Sequence, residues 1–130
     1  IRARGRVRSL AQIIACDIHP LNNLRVNMYL DKELGIKGKD RVQWMNYWMT
    51  EGFTAFESML AGSPTTGEFC EGDTPTMADC FLVPQVYNAR RYGCAGKSAR
   101  RRKLTGTTRP SKPGRSAFAQ LRRSMLKPAR

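Results

Sequence analysis

The most constraining stretch of this chain is residues 72–91, GDTPTMADCFLVPQVYNARR, where turn residues, a helix start, an apolar run and two arginines follow without a gap. Thr76 and Asp79 have the spacing of a capping box. In such a box the threonine hydroxyl accepts the backbone N–H three residues on, and the carboxylate reaches back to the N–H of the threonine. Asp73, Thr74 and Pro75 keep the chain non-helical until that point. Met77, Phe81, Leu82 and Val86 then recur at helical spacing, with Cys80, Val83 and Tyr87 on the flanks, and predict a helix buried nearly all round. Pro84 removes one backbone hydrogen bond inside the run, so a kink is expected rather than a stop. Arg90 and Arg91 close it. They either complement the helix C-terminus or aim a carboxylate-binding fork into a cleft.

The rest of the chain reads as helices too. From residue 2 to about 33, apolar positions from Val7 to Leu30 keep a helical period, with a bend expected at Pro20. Arg2, Arg4, Arg6 and Arg8 read as a solvated face or a bare edge. His19, Asn22, Asn23 and Arg25 form a polar cluster at the bend. Asparagine is a poor interior helix residue, so the pair at 22 and 23 serves either carbonyls freed by Pro20 or the polar edge of a ligand. Asp40 is a plausible cap for a helix over about 41–60. Its apolar stripe, Val42, Met45, Trp48, Met49, Phe53, Phe56 and Leu60, reads as bundle core, widened by Trp44, Tyr47 and Met59. Residues 61–71 are a loop from which Phe69 and Cys70 dip inward. No alternating segment is long enough for a strand, so the fold class is all-α.

A formal charge of +13 would ordinarily point to nucleic acid. Its distribution does not: residues 1–93 carry 11 basic and 10 acidic side chains, whereas residues 94–130 carry 12 basic and none acidic. Two units are therefore expected, a helical domain over 1–93 and a basic tail over 94–130. Cys16, Cys70, Cys80 and Cys94 show no C-x-x-C pair and no metal-ligand spacing with His19, which fits reduced thiols in a cytoplasmic protein. No run approaches the ~20 apolar residues of a membrane span. The chain opens on Ile rather than Met, and a missing start is expected.

The runs FCEGDTPTMADCFLVPQVYNARR, ACDIHPLNNLRV and W-x-x-x-GF-x-AFE resemble the C-terminal domain of zeta-class glutathione transferases, the maleylacetoacetate and maleylpyruvate isomerases. The TMAD box is common to most glutathione transferases; VPQVYNARR and HPLNNLRV are much more specific. The resemblance implies an all-helical domain normally preceded by a thioredoxin-like domain, which this sequence lacks. It implies glutathione as cofactor, a small cis-dienoic diacid as substrate and a homodimer. By similarity Arg91 binds a substrate carboxylate, while His19, Asn23, Leu24 and Arg25 line the glutathione site. No catalytic residue is assigned, because the thiolate-activating turn belongs to the other domain. Alone, the chain is expected to be inactive.

The resemblance fails within a few residues of Arg91. Composition reads residues 94–130 as a disordered basic arm, which supports an alternative function as a helical module binding nucleic acid through phosphates. The preferred account is a shift of reading frame. With suitable codons, residues 98–108 read from the third base give Cys-Pro-Thr-Ser-Lys-Ile-Asp-Gly-Asn-Tyr. That is close to the Pro-Thr turn and Ile-Asp helix that relatives have there.

Overall fold

The computed structural model describes residues 1–94. Apart from Cys94, the expected basic tail, with its disordered or frameshifted reading, lies outside the described residues.

The chain opens with a broken helical rod: α1 (Arg2–Gln12), a π-helical segment (Ile13–Ile18), α2 (His19–Asn22) and α3 (Leu24–Lys32). Then come α4 (Gly38–Ala61) and α5 (Met77–Arg91). Among the described residues there is no strand, only an isolated bridge between Thr66 and Gly72. The all-α expectation holds.

The π segment explains how the first rod keeps its face. Leu10, Ile14 and Ile18 are spaced by four, and in an α-helix each such step advances about 40° around the axis. Hydrogen bonds closing five residues back instead of four take up that advance. All three side chains stay buried in one core. Against them α4 presents Met45, Met49, Phe53, Phe56 and Leu60, and α5 presents Ala78, Leu82, Val86 and Ala89. The helices come close at Gly52, where a Cβ would collide with the side chain of Ile18. Of the expected α4 stripe, Met45, Met49, Phe53, Phe56 and Leu60 are in the core with Trp44 and Met59 packed against it, whereas Val42 and Trp48 are only half-buried outside it and Tyr47 is exposed.

Three local expectations are corrected. The rod breaks at Asn23, whose backbone is extended, and not at Pro20, which sits in the first turn of the short α2. Asp40 does not cap α4: Lys37 is the N-cap, and Asp40 lies in the first turn, where its charge still favours the helix dipole. Nor is α5 buried all round, because only α1 and the π segment pack on it extensively. Met77, Phe81, Val83 and Tyr87 are exposed, Tyr87 by 68%. Pro84 does not stop that helix.

The capping box forms. The Thr76 N–H donates to Asp79 Oδ2 at 2.8 Å and its hydroxyl donates to the same oxygen at 2.7 Å. Asp79 Oδ1 accepts the N–H of buried Cys70 at 3.0 Å, so one carboxylate starts the helix and ties down the loop before it. Burial pushes the Asp79 carboxyl up, yet the hydrogen bonds from Cys70 and Thr76 outweigh it and hold the group below its ordinary value. Burial pushes the Cys70 thiol far above its usual range, and the Asp79 carboxylate beside it acts in the same direction.

Arg6 is also corrected, from solvated face to staple. Its guanidinium donates to the Cys70 carbonyl at 2.7 Å and to Thr66 Oγ1 at 2.7 Å, reaches the Met59 carbonyl at 3.3 Å, and pairs with Glu71. The Thr65 hydroxyl donates to the same Glu71 carboxylate at 2.8 Å. Arg2, Arg4 and Arg8 are exposed, as expected.

Candidate functional site

Arg91 projects from a helix end that is closed twice. The Tyr92 N–H donates to the Asn88 carbonyl and the Gly93 N–H to the Arg90 carbonyl, each at 3.1 Å, with Gly93 in the left-handed region at φ 70°. Glycine takes that conformation at little cost, which suits it to end a helix. The Arg91 guanidinium is exposed, lies 5.6 Å from the Tyr92 ring centroid, and has no carboxylate partner among the described residues. It is a planar cation on a fixed base with its fork free, which is what bidentate binding of a carboxylate needs.

The second group lies at the break between α2 and α3. Asn23 Oδ1 accepts the Val26 N–H at 3.0 Å and caps α3, while Asn23 Nδ2 donates to the Pro20 carbonyl at 3.0 Å. Asn22 Nδ2 donates to the Ile18 carbonyl at 3.1 Å. Asn27 Nδ2 donates to the carbonyls of Asn22 and Asn23 at 3.0 and 2.9 Å. The asparagines thus hold carbonyls around the break itself. His19 takes no part in that ladder and is exposed; Leu24 and Arg25 are exposed in the first turn of α3, Leu24 by 75%. With Val26 N–H taken by the cap, a cation and the remaining first-turn N–H groups stand together at a helix N-terminus. That combination favours an anion.

The two groups share one anchor. Trp44 Nε1 donates to the Leu21 carbonyl at 3.0 Å, and Asn46 Nδ2 donates to the Tyr92 carbonyl at 3.0 Å. Two residues apart on α4 is about 3 Å along the axis but about 200° around it. Arg91 and the 19–25 segment therefore attach at one level of the bundle, on opposite sides of α4. Neither of two open grooves beside α4 is lined by both of them. One open groove follows α4 past Lys39, Gln43, Tyr47 and Glu51, and another runs between the π segment and α4 past Cys16, Asp17 and Trp48. Among the described residues no three His, Cys, Asp or Glu side chains are grouped to hold a metal, and no helix is long and apolar enough to cross a membrane. The sequence reading missed Asn46, whose only signal was an amide beside an aromatic stripe.

No family model matches the sequence. It is 51% identical over 89 residues to the maleylpyruvate isomerase of a Ralstonia species, a match covering 68% of this chain and 42% of that protein. Among solved structures, a bacterial maleylpyruvate isomerase described as a zeta-class glutathione transferase superposes with a TM-score of 0.68 at 43% identity. That match covers 78% of this chain and 51% of the other. The maleylacetoacetate isomerase of Methylobacterium extorquens AM1, solved with malonate and glutathione bound, gives 0.69 at 31% identity over 79% of this chain and 49% of its own. The chain thus spans about half, or somewhat less, of the length of the relatives it matches. The described helices are those of a glutathione transferase. Within that class they belong to the zeta group, the maleylacetoacetate and maleylpyruvate isomerases, and correspond to its C-terminal helical domain.

Proposed function

We propose that this chain is the diacid-gripping helical part of a glutathione-dependent cis–trans isomerase acting on a small cis-dienoic diacid of the maleylacetoacetate or maleylpyruvate type. The observation that carries the reading is Arg91, a guanidinium on a doubly closed helix end with no carboxylate partner among the described residues. Glutathione, when bound, supplies a thiolate whose addition makes the cis double bond transiently single, so that rotation becomes easy. The chain's own part is to hold the anionic ends. Arg91 takes a substrate carboxylate, and the cation of Arg25, with His19, Asn23 and Leu24, suits the carboxylate-bearing cofactor. That the Methylobacterium extorquens relative was solved with a small diacid, malonate, bound alongside glutathione supports a diacid substrate.

A homodimer is part of the proposal, as is a cytoplasmic setting, which the four free cysteines support. Residues beyond Cys94 are proposed to be read in a shifted frame; the nucleotide sequence tests that directly. The activity test pairs the chain with a thioredoxin-like domain of a relative and follows glutathione-dependent isomerisation of maleylpyruvate. Loss of one charge-assisted carboxylate contact in Arg91→Ala should lower kcat/KM by about tenfold or more. Unchanged kcat/KM in that variant would refute the reading.

A further inference from the structure

The turn that follows Arg91 is fastened from outside its own helix. Asn46, half-buried on α4, donates Nδ2 to the Tyr92 carbonyl at 3.0 Å. The Thr50 hydroxyl donates to the Asn46 carbonyl at 2.6 Å and lies 3.4 Å from Cys94 Sγ. The buried Cys94 thiol is directed at that same Asn46 carbonyl at 3.7 Å. Residues 92–94 are therefore held on one turn of α4 by contacts that α5 does not supply. A helix leaves its last carbonyls without partners, and Tyr92 is the C-cap of α5. Asn46 supplies the missing donor one residue beyond Arg91.

We propose that Asn46 is a positioning residue for carboxylate binding: by holding the Tyr92 carbonyl it fixes the last turn of α5, and with it the direction in which the Arg91 fork meets a diacid. The inference rests on the carboxylate-binding reading of Arg91. A guanidinium attracts any anion by charge, but the two parallel bonds of a bidentate pair need alignment as well. Loosening the base should keep the attraction and lose the alignment. Maleate should therefore suffer more than acetate.

The full chain, isotopically labelled, is titrated with maleate and with acetate at fixed pH and ionic strength, following amide and arginine Nε shifts. Asn46→Ala is expected to weaken maleate by about three- to tenfold, the worth of one neutral hydrogen bond, and acetate by less than about twofold. Asn46→Gln, which keeps the donor, should recover most of the loss. Amide exchange at residues 91–94 should speed up in Asn46→Ala while the core of α4 and α5 is unchanged. Asn46→Leu, of similar volume, makes the same test if the alanine variant does not fold. Wild-type maleate affinity in Asn46→Ala, equal losses in Asn46→Ala and Asn46→Gln, or unchanged exchange at 91–94 would each overturn the proposal. Undiminished maleate binding in Arg91→Ala, or none by the wild-type chain, refutes the Arg91 reading instead, and the proposal with it. A failure confined to the Asn46 variants leaves that reading standing.

Discussion

Replacing Asp79 should cost this domain a large share of its stability, and the structure says why. Its carboxylate accepts three donors: the Thr76 N–H, the Thr76 hydroxyl and the N–H of buried Cys70. Asp79→Ala leaves the Cys70 N–H without a partner in the interior, which costs about 1–3 kcal/mol. Losing the capping arm adds about 1 kcal/mol, and losing a negative charge at the helix N-terminus adds about 0.3–1 kcal/mol. The sum is about 2–5 kcal/mol, against a total of about 5–15 kcal/mol for a typical domain. In a domain of this size that lowers Tm by about 8 °C or more. Asp79→Asn should be intermediate: its oxygen can still accept from Cys70, but its amide faces the Thr76 donors. The pH dependence has a definite sign. A carboxyl held below its ordinary value in the folded state contributes fully above the unfolded pKa of about 3.9, and that contribution is lost as pH falls through the folded value. The wild-type chain should therefore lose stability on acidification below about pH 4, and Asp79→Asn should lack that component. Urea unfolding followed by circular dichroism at pH 7 and pH 3 measures both effects. A loss under about 1 kcal/mol in Asp79→Ala, or an Asp79→Asn variant with the wild-type acid response, would refute the reasoning.

Two further outcomes are expected. Gly52→Ala gains about 1 kcal/mol in helix propensity, but its Cβ overlaps Ile18, and overpacking of a core costs about 1–3 kcal/mol. Net destabilisation that Ile18→Val partly relieves, seen in a double-mutant cycle by thermal unfolding, would show that the clash wins. Thiol alkylation at pH 8 followed by mass spectrometry should label exposed Cys16 and Cys80 first. Cys70 should react only on unfolding, because burial and the Asp79 carboxylate keep it a thiol.

What was legible in the sequence was local. The capping box is a pairing three residues apart, and its structure follows from Thr76 and Asp79 alone. The burial of Met45, Met49, Phe53, Phe56 and Leu60 follows from spacing on one helix. Arg6 was illegible for the opposite reason: its partners lie 53 to 65 residues away, and nothing in an R-x-R-x-R pattern marks one arginine as different. The break at Asn23 was misplaced because proline in a first turn is harmless, whereas an asparagine that caps forward to Val26 must leave the helix to do so. On α5, periodicity reports where apolar residues stand but not which of them a neighbour covers. As for the site, His19, Leu24, Arg25 and Arg91 are exposed, whereas Asn23 is half-buried with its amide taken up at the helix break. The anchor at Asn46 depends on a tertiary contact that no local pattern encodes.

The π segment bears on how such a chain can change length. A turn that closes on the fifth residue back holds one residue more than an α-turn. Because the π segment turns less per residue than an α-helix, removing a single residue from it would let the rod close as ordinary helix with nearly the same facing for everything after it. His19, Leu24 and Arg25 would stay on their own side of the bundle. A one-residue deletion there should thus be tolerated far more readily than one inside α4, where each residue lost turns the rest of the helix by about 100°.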